Sequence, residues 1–156
     1  MNEFSIGDLA PNFSIMVANG KTLNLSDYIG KYVVLYFYPK DNTPGCTIEA
    51  RDFSSLKKEF EELGAVIIGI SKDSSTSHDK FRQNHNLEIE LGSDEAGSVC
   101  ETFNVWSEKS MFGKKYMGVD RSTYLIDKEG KFAYIWKSVF ALGHAKKVLQ
   151  KLKEII

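Results

Sequence analysis

The chain has 156 residues, 42% of them hydrophobic and 26% charged, with twenty basic residues against twenty-one acidic ones for a net charge of −1. That is the size of one globular domain, expected over residues 1–156, and it lacks the basic excess of a nucleic-acid binder. The longest apolar runs, Tyr32–Tyr38 and Ala65–Ile70, are too short to span a bilayer, so no membrane partner is expected.

In chain order, the start MNEFSIGDLAPNF has neither a basic nor an apolar leader pattern, so no signal peptide is expected. Phe13, Ile15 and Val17 alternate with polar residues, and Asn19-Gly20 precedes Leu23 and Leu25, which predicts a small hairpin. Ser26-Asp27 opens a short helical turn ending near Gly30. Tyr32–Tyr38 lacks alternation and reads as a central strand covered on both faces, with Tyr36 and Tyr38 in the core.

A helix follows in which Phe53, Leu56, Phe60 and Leu63 recur at spacings of three and four, with Gly64 as its stop. Ala65–Ser71 is a second buried strand. Ser74–Ser77 caps a helix over His78–Asn86, Leu87–Gly92 is a short strand, and Asp94 opens a helix with Ala96, Val99, Cys100 and Phe103 on one face. Val105–Val119 reads as irregular. Ser122–Ile126 and Phe132–Val139 flank the hairpin signal Asp127-Lys128-Glu129-Gly130. A last helix over Leu142–Ile156 buries Ala145, Val148, Leu149, Leu152 and Ile156, and turns Lys146, Lys147, Lys151 and Lys153 to solvent.

The order hairpin, βα, βα, helix, ββ, α is the thioredoxin-like α/β pattern: a central mixed sheet flanked by helices, with an N-terminal β-hairpin extension. In that pattern the functional cysteine begins the helix after the first central strand, which is where Cys46 stands. Thr43 suits the N-cap and Pro44 the first helical position, so Cys46 lies at the positive end of a helix dipole, a setting that favours thiolate. Thr43 and Glu49 occupy the positions that a C-x-x-C motif would give to a second cysteine, which excludes dithiol exchange at this helix start. A lone cysteine acts instead as a nucleophile that cycles through sulfenic acid.

Magnitudes show what else is needed. A thiol of pKa ~8.5 is about 3% ionised at pH 7, and lowering its pKa to about 6 takes roughly 3.4 kcal/mol. A helix start supplies ~0.3–1 kcal/mol, or ~2 when partly buried. A cation or several hydrogen bonds must supply the rest. Lys40, Arg51 and Arg121 are the candidates, and Arg51, five residues along the helix, faces away from Cys46.

Pro39, Thr43 and Cys46 form P-x-x-x-T-x-x-C, and the segments TPGCT and WSEKSMFGKKYMGVDRSTYLID follow in order. In these features, from Asp8-Leu9-Ala10-Pro11-Asn12-Phe13 to the last helix, the chain resembles the peroxiredoxins, and among them the bacterioferritin-comigratory (PrxQ) branch. The resemblance implies a thiol-dependent peroxidase acting on hydrogen peroxide and organic hydroperoxides. Cys46 would be the peroxidatic nucleophile, Thr43 a donor to thiolate and peroxide, Pro39 a shield against water, and Arg121 the cation that holds both. The N–H groups of Gly45 and Cys46 would be further donors, and Glu49 would position an arginine by an ion pair. No cofactor is implied. The reductant would be thioredoxin, glutaredoxin or glutathione, the state monomer or weak dimer, and the compartment a reducing cytosol.

Many members of that branch carry a resolving cysteine five residues after the first, where this chain has Arg51, or in the following helix, which has none here. Cys100 is the only other thiol. Either it resolves Cys46 after local unwinding or chain pairing, or it is a core thiol and an external thiol recycles the enzyme. The alternative function is a redox sensor or holdase without efficient turnover. His78 and His85, about 10.5 Å apart along one helix, cannot share a metal and read as surface histidines, and His144 has no partner at ligand spacing. Trp106 and Phe112 are candidate walls of the peroxide pocket, or equally well a loop–core contact.

Overall fold

The computed structural model describes residues 3–17 and 20–156. The Asn19 half of the expected Asn-Gly turn lies outside them. The strands it joins are β1 (Ser14–Val17) and β2 (Thr22–Asn24), paired antiparallel with Ile15 opposite Leu23. A 3₁₀ turn at Leu25–Tyr28 leads to β3 (Tyr32–Phe37), followed by α1 (Pro44–Glu62) and β4 (Ala65–Ser71). Then come α2 (Ser75–His85), β5 (Glu90–Ser93) and the short α3 (Ser98–Thr102). The chain closes with β6 (Trp106–Met111), β7 (Lys114–Val119), β8 (Ser122–Ile126), β9 (Phe132–Trp136) and α4 (His144–Ile155).

Seven strands form one mixed sheet in the order β2-β1-β5-β4-β3-β8-β9. The β3–β4 and β4–β5 pairs are parallel, and β8 is antiparallel to β3. The missing alternation of β3 has the expected cause, because each of its faces meets a different core. Val34, Tyr36 and Tyr38 point with Cys46, Phe53 and Phe60 of α1 and Val148 and Leu152 of α4. Val33, Leu35 and Phe37 point with Cys100, Phe103, Val105 and Tyr124. Glycine at position 69 lets Tyr36 lie flat across β4, since a Cβ there would come within 2.6 Å of its ring. Tyr36 stacks on Phe53 with ring centroids 4.7 Å apart.

Three local expectations are corrected. Residues 105–119 are ordered as the β6–β7 hairpin, because Phe112 and Gly113 both take positive φ, as a two-residue turn of this hand requires. The last helix begins at His144, behind Gly143 in the left-handed region, and Ile156 is 58% exposed beyond its end. The Asp94 helix is one turn long and leaves Ala96 exposed, while the Asp94 carboxylate accepts from the Val99 and Cys100 N–H groups.

Candidate active site

Strand β3 ends at Phe37, and the loop Tyr38–Thr43 delivers the chain to α1. Cys46 lies in the first turn of that helix and is 1% exposed. Thr43 holds the N-cap position, but its hydroxyl donates to the Lys40 carbonyl at 3.1 Å and does not cap the helix. Pro44 fills the first helical position as expected. Pro39 is exposed at the edge of the loop, and Lys40 and Arg51 are exposed too.

The cation that reaches the sulfur comes from 75 residues away. Arg121 leads into β8, whose five residues are all buried beside β3, and its carbonyl accepts from Val139 N–H. Its Nη2 donates to Cys46 Sγ at 3.2 Å and its Nη1 to Glu49 Oε1 at 2.6 Å. Gly45 leaves room for this, because a Cβ there would stand 3.2 Å from Nη2. One guanidinium therefore bridges two α1 residues one turn apart. Burial works against the Arg121 charge, but Glu49 and Cys46 outweigh it and hold the guanidinium above its usual range.

Glu49 is fully buried, and its Oε2 has no hydrogen-bond partner among the described residues. Burial raises its carboxyl to about 7, with Arg121 pulling downward and Asp52 adding to the rise. The native carboxyl thus keeps its proton to higher pH than the unfolded one, and Glu49's contribution to stability is lost as pH rises through about 7.

His144 has the opposite sign. It is buried against Phe53 and Trp136 and hydrogen-bonds Thr123 at 2.7 Å. Burial, with Lys147 and Arg121, lowers it from 6.5 to about 4. Its contribution is present above pH 6.5 and is lost as pH falls toward 4. Relative to the parent, His144→Asn should therefore gain about 1–3 kcal/mol between pH 6.5 and 4. Urea unfolding midpoints across that window check this, and a constant difference between the two proteins would contradict it.

Cys100 is fully buried on the other side of the sheet, in the core opposite Cys46. Burial pushes its thiol far up, and the neighbouring Asp94 carboxylate adds to this. Phe112, at the tip of the β6–β7 hairpin, is 97% exposed. Trp106 packs on the Cys100 side with Lys72 Nζ 3.9 Å from its ring centroid, so neither aromatic walls the Cys46 site.

The expectation of surface histidines fails for His78, which is completely buried with both ring nitrogens hydrogen-bonded. Its partners, Asp41 and Gly92, come from two other elements, so helical spacing alone gave no sign of them. His85 is half-buried.

A thioredoxin-like sheet that sets one cysteine at a helix start, under an arginine from the neighbouring strand, defines the class of cysteine-based peroxidases. The AhpC/TSA family matches over residues 6–135, and the chain belongs to that family. It is 51% identical to peroxiredoxin Bcp of Bacillus subtilis over 150 residues, covering 96% of each chain. To peroxiredoxin Bcp of Escherichia coli it is 40% identical over 154 residues, covering 99% of each. Among solved structures, a cysteine-to-serine mutant of Xylella fastidiosa PrxQ matches with a TM-score of 0.94 at 38% identity, covering 99% of this chain and 98% of that one. The protein is a thiol-dependent peroxiredoxin, an enzyme that reduces hydroperoxides with thiols, and this favours the enzyme over the sensor or holdase. Among the described residues, no helix is long and apolar enough to cross a membrane.

Proposed function

We propose that Cys46 is the peroxidatic nucleophile and that an external thiol recycles it, with no part played by Cys100. The observation that carries this reading is the 3.2 Å contact from Arg121 Nη2 to Cys46 Sγ at the start of α1. The thiolate attacks one peroxide oxygen and the O–O bond breaks. The sulfur is oxidised to sulfenic acid, and the leaving oxygen takes a proton to become water or an alcohol. Arg121, with the N–H groups of Gly45 and Cys46, offers donors to the oxygens that gain charge. The Thr43 hydroxyl turns from the Lys40 carbonyl toward the substrate when peroxide is present. Pro39 lines the approach, and Glu49 fixes the Arg121 fork.

A first thiol then condenses with the sulfenic acid, releasing water and leaving a mixed disulfide. A second thiolate attacks the outer sulfur of that disulfide, freeing Cys46 and the oxidised reductant. Thioredoxin, glutaredoxin and glutathione are the reductants to compare, in a monomer or weak dimer working in a reducing, cytosolic setting. Two free cysteines suit that setting.

Cys100 supports the external route because the sheet separates it from Cys46, whereas a disulfide needs Cα atoms within about 7 Å. Cys100→Ser should keep peroxidase activity with dithiothreitol within about twofold, since it removes no group from the site. Mass spectrometry after one equivalent of hydrogen peroxide should find oxygen or an added thiol on Cys46. A dominant Cys46–Cys100 disulfide would overturn the one-cysteine route.

A further inference from the structure

Five residues before Cys46, Asp41 is 5% exposed although it lies in the loop that enters α1. Its Oδ1 accepts from the Tyr38 hydroxyl at 2.6 Å. Its Oδ2 accepts from the Ser77 hydroxyl at 2.7 Å and meets His78 Nδ1 at 2.7 Å. The opposite ring nitrogen, His78 Nε2, is 3.0 Å from the Gly92 carbonyl. A carbonyl has no proton to give, so Nε2 carries one and the ring is fixed between β5 and the loop. The Asp41 N–H is also held, donating to Asp73 Oδ2 at 2.8 Å, and Asp73 Oδ2 in turn accepts from the Ser71 hydroxyl at 2.6 Å.

Asp41, Asp73 and His78 offer ligand-type atoms within 4.8 Å of one another. Both nitrogens of the imidazole and both oxygens of the Asp41 carboxyl are already bonded within the protein, so the cluster works as a tie and not as a metal cradle. It ties α2, β4 and β5 to one short loop, and that loop next takes a left-handed residue, Asn42, before Thr43 and α1.

We propose that His78 is a positioning residue: through Asp41 it locks the Tyr38–Thr43 loop in the conformation that presents Cys46 to peroxide and withholds it from thiols. This rests on Cys46 being the nucleophile. The two halves of the cycle make opposite demands on Cys46, which is 1% exposed. Peroxide is small and reacts where Arg121 and the helix start are assembled. A thiol must bring its own sulfur into line with the sulfenic sulfur, expelling water, and for that the helix start must loosen. The energy that holds the loop closed therefore favours the first step and opposes the second. It also favours damage, because a second peroxide meeting the closed sulfenic acid yields sulfinic acid and water.

The test compares full-length parent, His78→Leu and His78→Asn in two single-step measurements. Reduced protein is mixed with hydrogen peroxide, and oxidised protein with dithiothreitol, with Cys46 followed by quenched-flow mass spectrometry. His78→Leu should slow the peroxide step by on the order of tenfold to a hundredfold. It should speed the dithiothreitol step several-fold and reduce the sulfinic fraction formed per peroxide. His78→Asn keeps a donor near the Nδ1 position and should recover most of the peroxide rate. Ser77→Ala, a milder cut at a half-buried position, should move both rates in the same two directions by smaller factors, which covers a leucine variant that does not fold. Rates that stay unchanged, or that fall together by one factor, overturn the lock while leaving Cys46 as the nucleophile. Oxidation of the parent at a residue other than Cys46 overturns the reading of the site and the lock with it.

Discussion

Cys46→Ser will consume no peroxide above background, a loss on the order of 10⁴-fold or more, because a serine hydroxyl supplies no polarisable anion to break an O–O bond. The variant should keep its fold. Cys46 is 1% exposed, and a serine oxygen in place of its sulfur still accepts from Arg121 Nη2. The informative measurement is therefore peroxide consumption with dithiothreitol at matched unfolding midpoints. Retained turnover would move the nucleophile elsewhere, and Cys100 would be the only sulfhydryl left to supply it.

Arg121→Gln should do two separable kinds of damage. It removes the donor 3.2 Å from the sulfur, and the loss of one such donor at a reacting centre typically lowers the rate by about 10²–10³-fold. It also strands Glu49, a fully buried carboxyl whose Oε1 depends on Arg121 Nη1. With the downward pull of the guanidinium gone, burial raises the Glu49 carboxyl beyond about 7. The neutral acid is then the native form at pH 5 in both proteins, and ionising it becomes more costly above neutrality. The stability deficit should therefore be small at pH 5 and grow by about 1–3 kcal/mol by pH 8–9. Adding Glu49→Gln should restore the stability and flatten the pH dependence without restoring the peroxide rate. A double variant that recovers activity would show that Arg121 acts only by neutralising Glu49.

The sequence carried most of the fold because its signals were local. The unbroken run of β3, the helical spacing of α1 with its Gly64 stop, and the Asp127–Gly130 turn each state their own conformation. Cys46 was legible for the same reason, since Thr-Pro-Gly before it marks a helix start. Arg121 stands out from Lys40 and Arg51 only through the resemblance, because its nearness to Cys46 depends on β8 pairing with β3 across the sheet. His78 looks like a surface residue in the sequence for a related reason. A histidine on a polar helix looks solvated until Asp41 and Gly92 are brought to it, and no spacing rule joins residues from three elements. The β6–β7 hairpin leaves little trace in the sequence because its strands are mostly polar and exposed, and lie outside the main sheet.

The sheet that parts the two sulfurs has a consequence for when a solvent thiol is needed. A chain that closes its own disulfide consumes its sulfenic acid without waiting for a solvent thiol, and draws both reducing equivalents later, when that disulfide is reduced. With Cys100 in the core on the other face of β3, the one-cysteine route proposed above has no such internal step. On that route the chain's sulfenic acid itself waits for the first solvent thiol at every turn. Its steady output should therefore follow the local thiol supply, and when that supply falters the oxidised sulfur waits at the site, still within reach of the next peroxide.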